Sequence, residues 1–229
     1  LEILRRMGDT GRVPHGLLFQ GPEGCGKASV AKAFAARLMC ERDDGPCGRC
    51  ESCRLIESGG HPDLFVVHRL PKKTSAAAAS GDPEDLRQFI VVDQIRELTR
   101  VAGMAPRRGA RRVFIIDPAD QMNNEAQNAL LKTLEEPPAH VMFIFATTEP
   151  HKIPATILSR CQRHDFKRIA LASITDHMQK LCGLEHFDIS RNSLMLIARE
   201  AGGSIRDALS LLDQVTACSE VKIEDMQVL

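Results

Sequence analysis

The stretch GPEGCGKA, residues 21–28, has the spacing G-x4-G-K and lies between the apolar run GLLFQ and a helix-forming segment. A strand before and a helix after are what a phosphate-binding loop requires. Its glycines let successive backbone N–H groups turn inward around phosphate oxygens. The helix N-terminus adds a partial positive charge, and Lys27 adds a full one. The candidate binding residues are Gly21, Pro22, Glu23, Gly24, Cys25, Gly26, Lys27, Ala28 and Ser29. A plain glycine-rich strand-to-helix turn is the alternative, and the flanking pattern disfavours it. One position departs from the motif: the residue after the lysine, normally a Ser or Thr whose hydroxyl ligates magnesium, is Ala28. Ser29 does not stand in, because the next helical residue points about 100° away.

VFIID, residues 113–117, reads as a buried strand ending on Asp117, the position of a metal-side aspartate in such sites. A capping aspartate at a strand end is the alternative. The next residue, where a hydrolase carries the acid that activates water, is Pro118, and Ala119 and Asp120 are displaced from that position. CERDDGPCGRCESC gives C-x6-C-x2-C-x2-C from Cys40, Cys47, Cys50 and Cys53. Thiolates hold zinc tetrahedrally, and four sulfurs with no open position make a structural site rather than a catalytic one. Arg160 stands at the end of a short helix in ILSRC, Thr147 and Thr148 end a strand, and Arg206 lies near the start of a helix in GGSIRDALSLLDQ; each is a weak signal alone. APRRGARR, residues 105–112, reads first as a solvated connector before a strand, and second as a DNA-phosphate contact.

These groups need elements to position them. Strand-like runs at 16–20, 63–68, 111–117 and 141–148 alternate with helical runs at 27–40, 91–104 and 123–136, the last stopped by Pro137 and Pro138. A short helix over 154–161 and an edge strand over 162–166 follow. This alternation predicts an α/β domain, a parallel sheet covered by helices on both faces. From about 167 the pattern is all helical, which predicts domains at 1–166 and 167–229. RLPKKTSAAAASGDPED, residues 69–85, lacks periodicity and reads as a flexible insertion. The opening LEILRRMG reads as mid-helix without an initiator Met, as expected of a trimmed fragment.

Composition narrows the function classes. Thirty basic and thirty acidic residues cancel, so a nucleic-acid contact would have to come from a local patch. The chain has no Trp, no Tyr and only nine Phe, which argues against a base-stacking platform. No apolar run approaches the roughly 20 residues of a membrane span. The eight cysteines, without a secretion signal, favour a reducing compartment and a metal cluster over a disulfide framework.

Taken together, the motifs resemble the AAA+ subunits of bacterial DNA polymerase III clamp loaders over essentially the whole chain. The resemblance rests on the loop GPEGCGK, the cysteine insert at 40–53 directly after the first helix, NALLKTLEEPP (128–138) and ATTEPHKIPATILSRC (146–161). GSIRDALSLLDQ is similar to the gamma/tau branch. GGHPDLFVV (59–67), VVDQIREL (91–98) and the missing acid after Asp117 are closer to the delta-prime branch. The resemblance implies an AAA+ P-loop domain with a zinc knuckle insert, a small all-helical lid, and a collar domain that these residues do not contain. It implies that Arg160 acts as an arginine finger in trans on a neighbour's γ-phosphate. The first sensor falls at Thr147 or Thr148 and the second at Arg206, with structural zinc at the four cysteines. Binding of ATP or ADP with magnesium stays open. The implied partners are gamma/tau and delta subunits, the sliding clamp and, through the complex, primer-template DNA, in the cytoplasm. A delta-prime-like stator with weak or absent ATPase is the first expectation. An active gamma/tau-like motor is the second, and a helicase-loading or general AAA+ regulator the third.

Overall fold

Five short segments form one parallel sheet in the computed structural model, which describes residues 2–43, 45–70 and 88–217. After the helix α1 (Glu2–Thr10) come β1 (Gly16–Gln20), α2 (Lys27–Met39), α3 (Glu51–Glu57), β2 (Leu64–Val67), α4 (Val92–Ala102), β3 (Arg112–Ile116), α5 (Asn124–Glu135), β4 (Val141–Thr147), α6 (Ala155–Leu158), β5 (Gln162–Asp165), α7 (Leu171–Leu184), α8 (Arg191–Glu200) and α9 (Ile205–Ala217). The strand order is β2-β3-β4-β1-β5, with every neighbouring pair parallel. β3 and β4 are buried along their whole length, as near-continuous apolar strands covered on both faces must be. β5 (QRHD) and β2 lie at the edges, where β5 puts polar residues on the outside.

The central core joins Phe114, Phe143 and Phe145 of the sheet to Ile95 and Leu98 of α4 and Leu130 and Leu134 of α5. Phe65, Phe114 and Phe143 stack in succession, with ring centroids 5.1 Å and 5.4 Å apart. Asn123 starts α5 by accepting a hydrogen bond from the Ala126 N–H at 2.9 Å, and Pro137 and Pro138 follow its end.

Contacts divide the chain, in its described part, into two compact units. The first is Leu1–Gln20 with Lys27–Asp165, and the second is Gly21–Gly26 with Phe166–Leu229. The first holds the sheet. The second packs α7, α8 and α9 around Ile174, Met178, Leu194, Ile197 and Leu212, and the glycine loop clusters with these helices. α3 begins within the cysteine segment and runs past Cys53 to Glu57. Most of the insertion expected over 69–85, Asp44 of the knuckle, and Cys218 with the residues after it lie outside the described residues. Among the described residues, no helix is long and apolar enough to cross a membrane.

Candidate functional site

In the second unit, the loop meets the start of α9. The Ile205 N–H donates to the Gly24 carbonyl at 3.1 Å. Ser204 caps the helix by accepting from the Asp207 N–H at 3.2 Å. Gly24 has φ of +70°, and a Cβ there would lie 1.7 Å from the Ser204 hydroxyl, so both its conformation and its space demand glycine. Arg206, in the first turn of α9, donates to Glu23 of the loop at 3.1 Å, and both side chains are largely exposed. Cys25 is buried, while Gly21, Pro22 and Gly26 are half-buried.

In the first unit, Lys27 opens α2 and is buried, Ala28 is half-buried and Ser29 is exposed. The carboxyl-terminal ends of the parallel strands lie together: Gln20, the last residue of β1, pairs with Thr147, and Ile116 pairs with Phe145. Asp117 leaves β3 half-buried, its N–H donating to the Val67 carbonyl at 3.0 Å. After Pro118 the chain makes a single 3-10 turn, Ala119–Gln121, which brings Asp120 back inside. The Thr147 hydroxyl donates to Asp120 Oδ1 at 2.5 Å and accepts from the Glu149 N–H at 2.9 Å. Thr148 is exposed, and its hydroxyl has no hydrogen-bond partner among the described residues. Sequence spacing counted Asp120 only as an acid out of place. Its burial depends on a turn that no local pattern announces.

Arg160 lies just past α6, exposed. It donates to the Thr156 carbonyl at 2.7 Å and to Glu135 at 3.0 Å. Glu135 is the first glutamate of LEEPP, so two motifs far apart in sequence meet at this guanidinium.

The four cysteines converge in the first unit. The sulfurs of Cys40, Cys47, Cys50 and Cys53 all lie within 4.8 Å of one another, with 3.9 Å between Cys40 and Cys50. Tetrahedral zinc with Zn–S bonds of about 2.3 Å puts its sulfurs about 3.8 Å apart, so the donor set fits that ion. Backbone N–H groups of Arg42, Cys50 and Cys53 point at the sulfurs of Cys40, Cys47 and Cys50, at 3.4, 3.3 and 3.4 Å. Such bonds favour thiolate. N–H groups from Arg49 and Cys50 hold the Cys47 thiol down to about 6, whereas burial pushes Cys53 up to about 12. Gly45 makes the approach sterically feasible, since a Cβ there would lie 2.4 Å from Cys40 Sγ.

Polar contacts fasten this cluster to the sheet. Glu41 accepts from the N–H and hydroxyl of Ser52, at 3.3 and 3.0 Å. Arg108 reaches Glu41 at 3.3 Å and also Glu51. The carboxylate of Asp63, fully buried, accepts from the N–H groups of Arg107 and Arg108 at 2.9 and 2.6 Å and from the Arg112 guanidinium at 2.8 Å. Burial pushes the Asp63 carboxyl up, but these donors outweigh it and hold it below the usual range. Arg111 donates to the Gly11 carbonyl at 2.8 Å. Three of the four arginines expected to be a solvated connector thus tie loops together, because their partners come from segments remote in sequence.

Comparison with known proteins bears on the family. Residues 1–170 match the family model described as DNA polymerase III, delta subunit. Residues 173–221 match the DNA polymerase III clamp loader subunit, ATPase lid domain. The chain is 44% identical over 215 residues to the DNA polymerase III subunit tau of Bacillus subtilis, covering 92% of this chain and 35% of that protein. It is 39% identical over 220 residues to the tau subunit of Escherichia coli, covering 95% and 32%. It thus spans about a third of the length of these curated relatives. Among solved structures, a DNA polymerase III gamma subunit-related protein of Thermotoga maritima has a TM-score of 0.56 at 19% identity, covering 96% of this chain and 64% of that one. The RuvB Holliday junction branch migration motor of the same organism has a TM-score of 0.60 at 15% identity, covering 94% and 60%; the likeness is one of fold.

Proposed function

The chain belongs to the AAA+ subunit family of the bacterial DNA polymerase III clamp loader, and from that premise we propose that it is a stator-like subunit that holds a nucleotide with little or no hydrolysis of its own and offers Arg160 to a neighbour. One observation carries the reading. The residue types that bind phosphate are kept, in the glycine loop and in Lys27 at the start of α2, while the chemical half of the motif is depleted. Ala28 presents no oxygen to magnesium, and Pro118 presents no acceptor to water. The acid that follows, Asp120, is buried and bonded to Thr147. Each lost group is worth on the order of 10² or more in rate. Phosphate binding relies instead on backbone N–H groups, the lysine and the helix N-terminus.

In this reading the loop holds ATP or ADP with magnesium, and the first-sensor role falls to Thr148, exposed and unpartnered among the described residues, rather than to Thr147, whose proton goes to Asp120. Arg206, already at Glu23, supplies a second cation. Arg160, exposed and held at Glu135, is the group presented across a subunit seam. Cys40, Cys47, Cys50 and Cys53 hold structural zinc in a residue 1–166 α/β domain, with 167–229 as the helical lid. The partners are gamma/tau and delta subunits, the sliding clamp and primer-template DNA, in the cytoplasm. A second reading, an active motor, is favoured by the tau names of the relatives above and by the presence of Arg206. ATP turnover separates the two. The unsubstituted chain should bind nucleotide and turn over little, alone or in a reconstituted loader. Ala28→Thr with Pro118→Glu should gain turnover when a partner's arginine is present, and either change alone should gain much less, because such groups act as a unit. Magnesium-dependent turnover by the unsubstituted chain at about 1 s⁻¹ or more, the low end of common kcat values, would refute the stator reading.

A further inference from the structure

We infer that Glu135 is a positioning residue, which seats the guanidinium of Arg160 for the terminal phosphate of a nucleoside triphosphate bound by a neighbouring subunit. This rests on the reading above that Arg160 acts in trans. Glu135 is the last residue of α5 and Arg160 lies just past α6, both in the first unit. The core holds the backbone at each of them, because Leu134 and Ile157 are buried in it. Pro137 and Pro138 follow the end of α5 directly. Two anchored elements thus bring together side chains 25 positions apart.

Local helix rules do not favour this glutamate. A carboxylate in the last turn lies beside the partial negative charge of the free carbonyls, and Glu135 takes that place in α5. Lys132, three residues earlier, makes no ion pair with it among the described residues; the partner of Glu135 there is Arg160, at 3.0 Å. Departures from local rules gather at functional sites. Arg160 has a second hold, since its Nη1 donates to the Thr156 carbonyl at 2.7 Å, where the short helix leaves an acceptor open. A guanidinium offers five N–H donors in a planar fork. Nη1 meets Thr156 and, at 3.5 Å, the Ser159 hydroxyl, and one Nη2 proton goes to Glu135. Nε–H and the second Nη2 proton have no acceptor among the described residues, and phosphate oxygens, which only accept, suit both. Arg160 keeps 36% of its side chain exposed, as a group that reaches another subunit has to. An arginine has many rotamers to lose on contact, and a neighbour that has already fixed them lowers the cost of binding. An exposed pair shifts such an equilibrium by about fivefold at most, which sets the scale of the effect.

The test is steady-state ATP turnover of a reconstituted loader in which this chain lies beside a subunit that hydrolyses ATP. The chain carries Glu135→Ala, Glu135→Gln, Arg160→Ala or the two alanine changes together, and the melting temperature of each variant is recorded. Glu135→Ala should lower kcat by about threefold to fivefold, the scale of an exposed pair, and leave KM within about twofold, because the neighbour's own loop sets ground-state binding. Glu135→Gln, which keeps a carbonyl acceptor, should lose less than Glu135→Ala. Once Arg160 is alanine, adding Glu135→Ala should change turnover no further, because the two act as a unit. A loss that is the same with and without Arg160, with a lowered melting temperature, makes Glu135 a structural residue alone and defeats the inference. A rise in kcat for Glu135→Ala also defeats it, since the carboxylate would then compete with the phosphate for the arginine. If Arg160→Ala lowers turnover and Glu135→Ala does not, the inference fails with the trans reading intact. If Arg160→Ala leaves the neighbour's turnover unchanged, the trans reading itself fails.

Discussion

Replacing Asp63 by Asn should destabilise the sheet domain far more than its loss of one charge on a balanced surface would. Asp63 is fully buried, and the Arg112 side chain beside it is 3% exposed. One oxygen accepts from the Arg107 N–H and from two guanidinium nitrogens, and the other accepts from the Arg108 N–H. An asparagine keeps one acceptor but turns an NH₂ toward groups that are all donors. It leaves the Arg112 charge buried without a counterion and one N–H orphaned. Breaking a buried pair from one side costs about 3–5 kcal/mol. For a chain of 150–250 residues each kcal/mol shifts the midpoint by about 2–4 °C, so the melting temperature should fall by about 6–20 °C. Calorimetry of both proteins at pH 7 measures this. The gap should also depend on pH. The Asp63 carboxyl titrates below its unfolded value, so its contribution is fully present above about pH 4 and is lost as pH falls through the folded-state value. The two melting curves should therefore converge in acid. A shift under about 2 °C at pH 7, or a gap that widens below pH 4, would refute the clamp.

Other expectations follow from the same geometry. Elemental analysis of chelator-free protein should find one zinc per chain, and Cys50→Ser should lose it while circular dichroism still reports the sheet. Because Glu41 and Glu51 flank the cysteines and hold Arg108, removing the metal should speed amide exchange over 105–109 and leave β3 protected. Arg108→Ala, whose side chain is 35% exposed, should cost under about 1 kcal/mol, the usual worth of exposed pairs. In a reconstituted loader Arg160→Ala should lower the neighbouring subunit's turnover, by up to roughly 10³–10⁵ on the scale of arginine fingers, and leave nucleotide binding by this chain unchanged; loss of only the latter would sink the trans role.

The legible parts of this fold were those in which one segment states its own environment. VFII and VMFIF are apolar without interruption, so they had to be strands buried on both faces, and the parallel sheet followed from their alternation with helices. The cysteine spacing was legible for a similar reason, since two-residue spacers carry the geometry within themselves. α3 was not, because it is seven residues long, polar, and started by the Cys50 sulfur accepting from the Cys53 N–H, a cap outside the usual Ser, Thr, Asp and Asn set.

The remaining features were illegible because their meaning is held by a partner elsewhere. Arg112 and Asp63 are 49 positions apart, and Thr147 and Asp120 are 27 apart. Nothing in APRRGARR marks Arg112 as a core residue and Arg107 as an exposed one, because the difference is set by Asp63, which takes the guanidinium of Arg112 but only the backbone N–H of Arg107. The choice between Thr147 and Thr148 is a question of strand parity, and one residue of register reverses it. That parity decides which of the two hydroxyls is exposed. The inward Thr147 spends its proton on Asp120, and the outward Thr148 has no hydrogen-bond partner among the described residues. The bond between Thr147 and Asp120 joins the end of β4 to the turn that follows β3. In the stator reading proposed above, backbone N–H groups and Lys27 suffice for phosphate, so the loss of the acid after Asp117 removes chemistry and not binding.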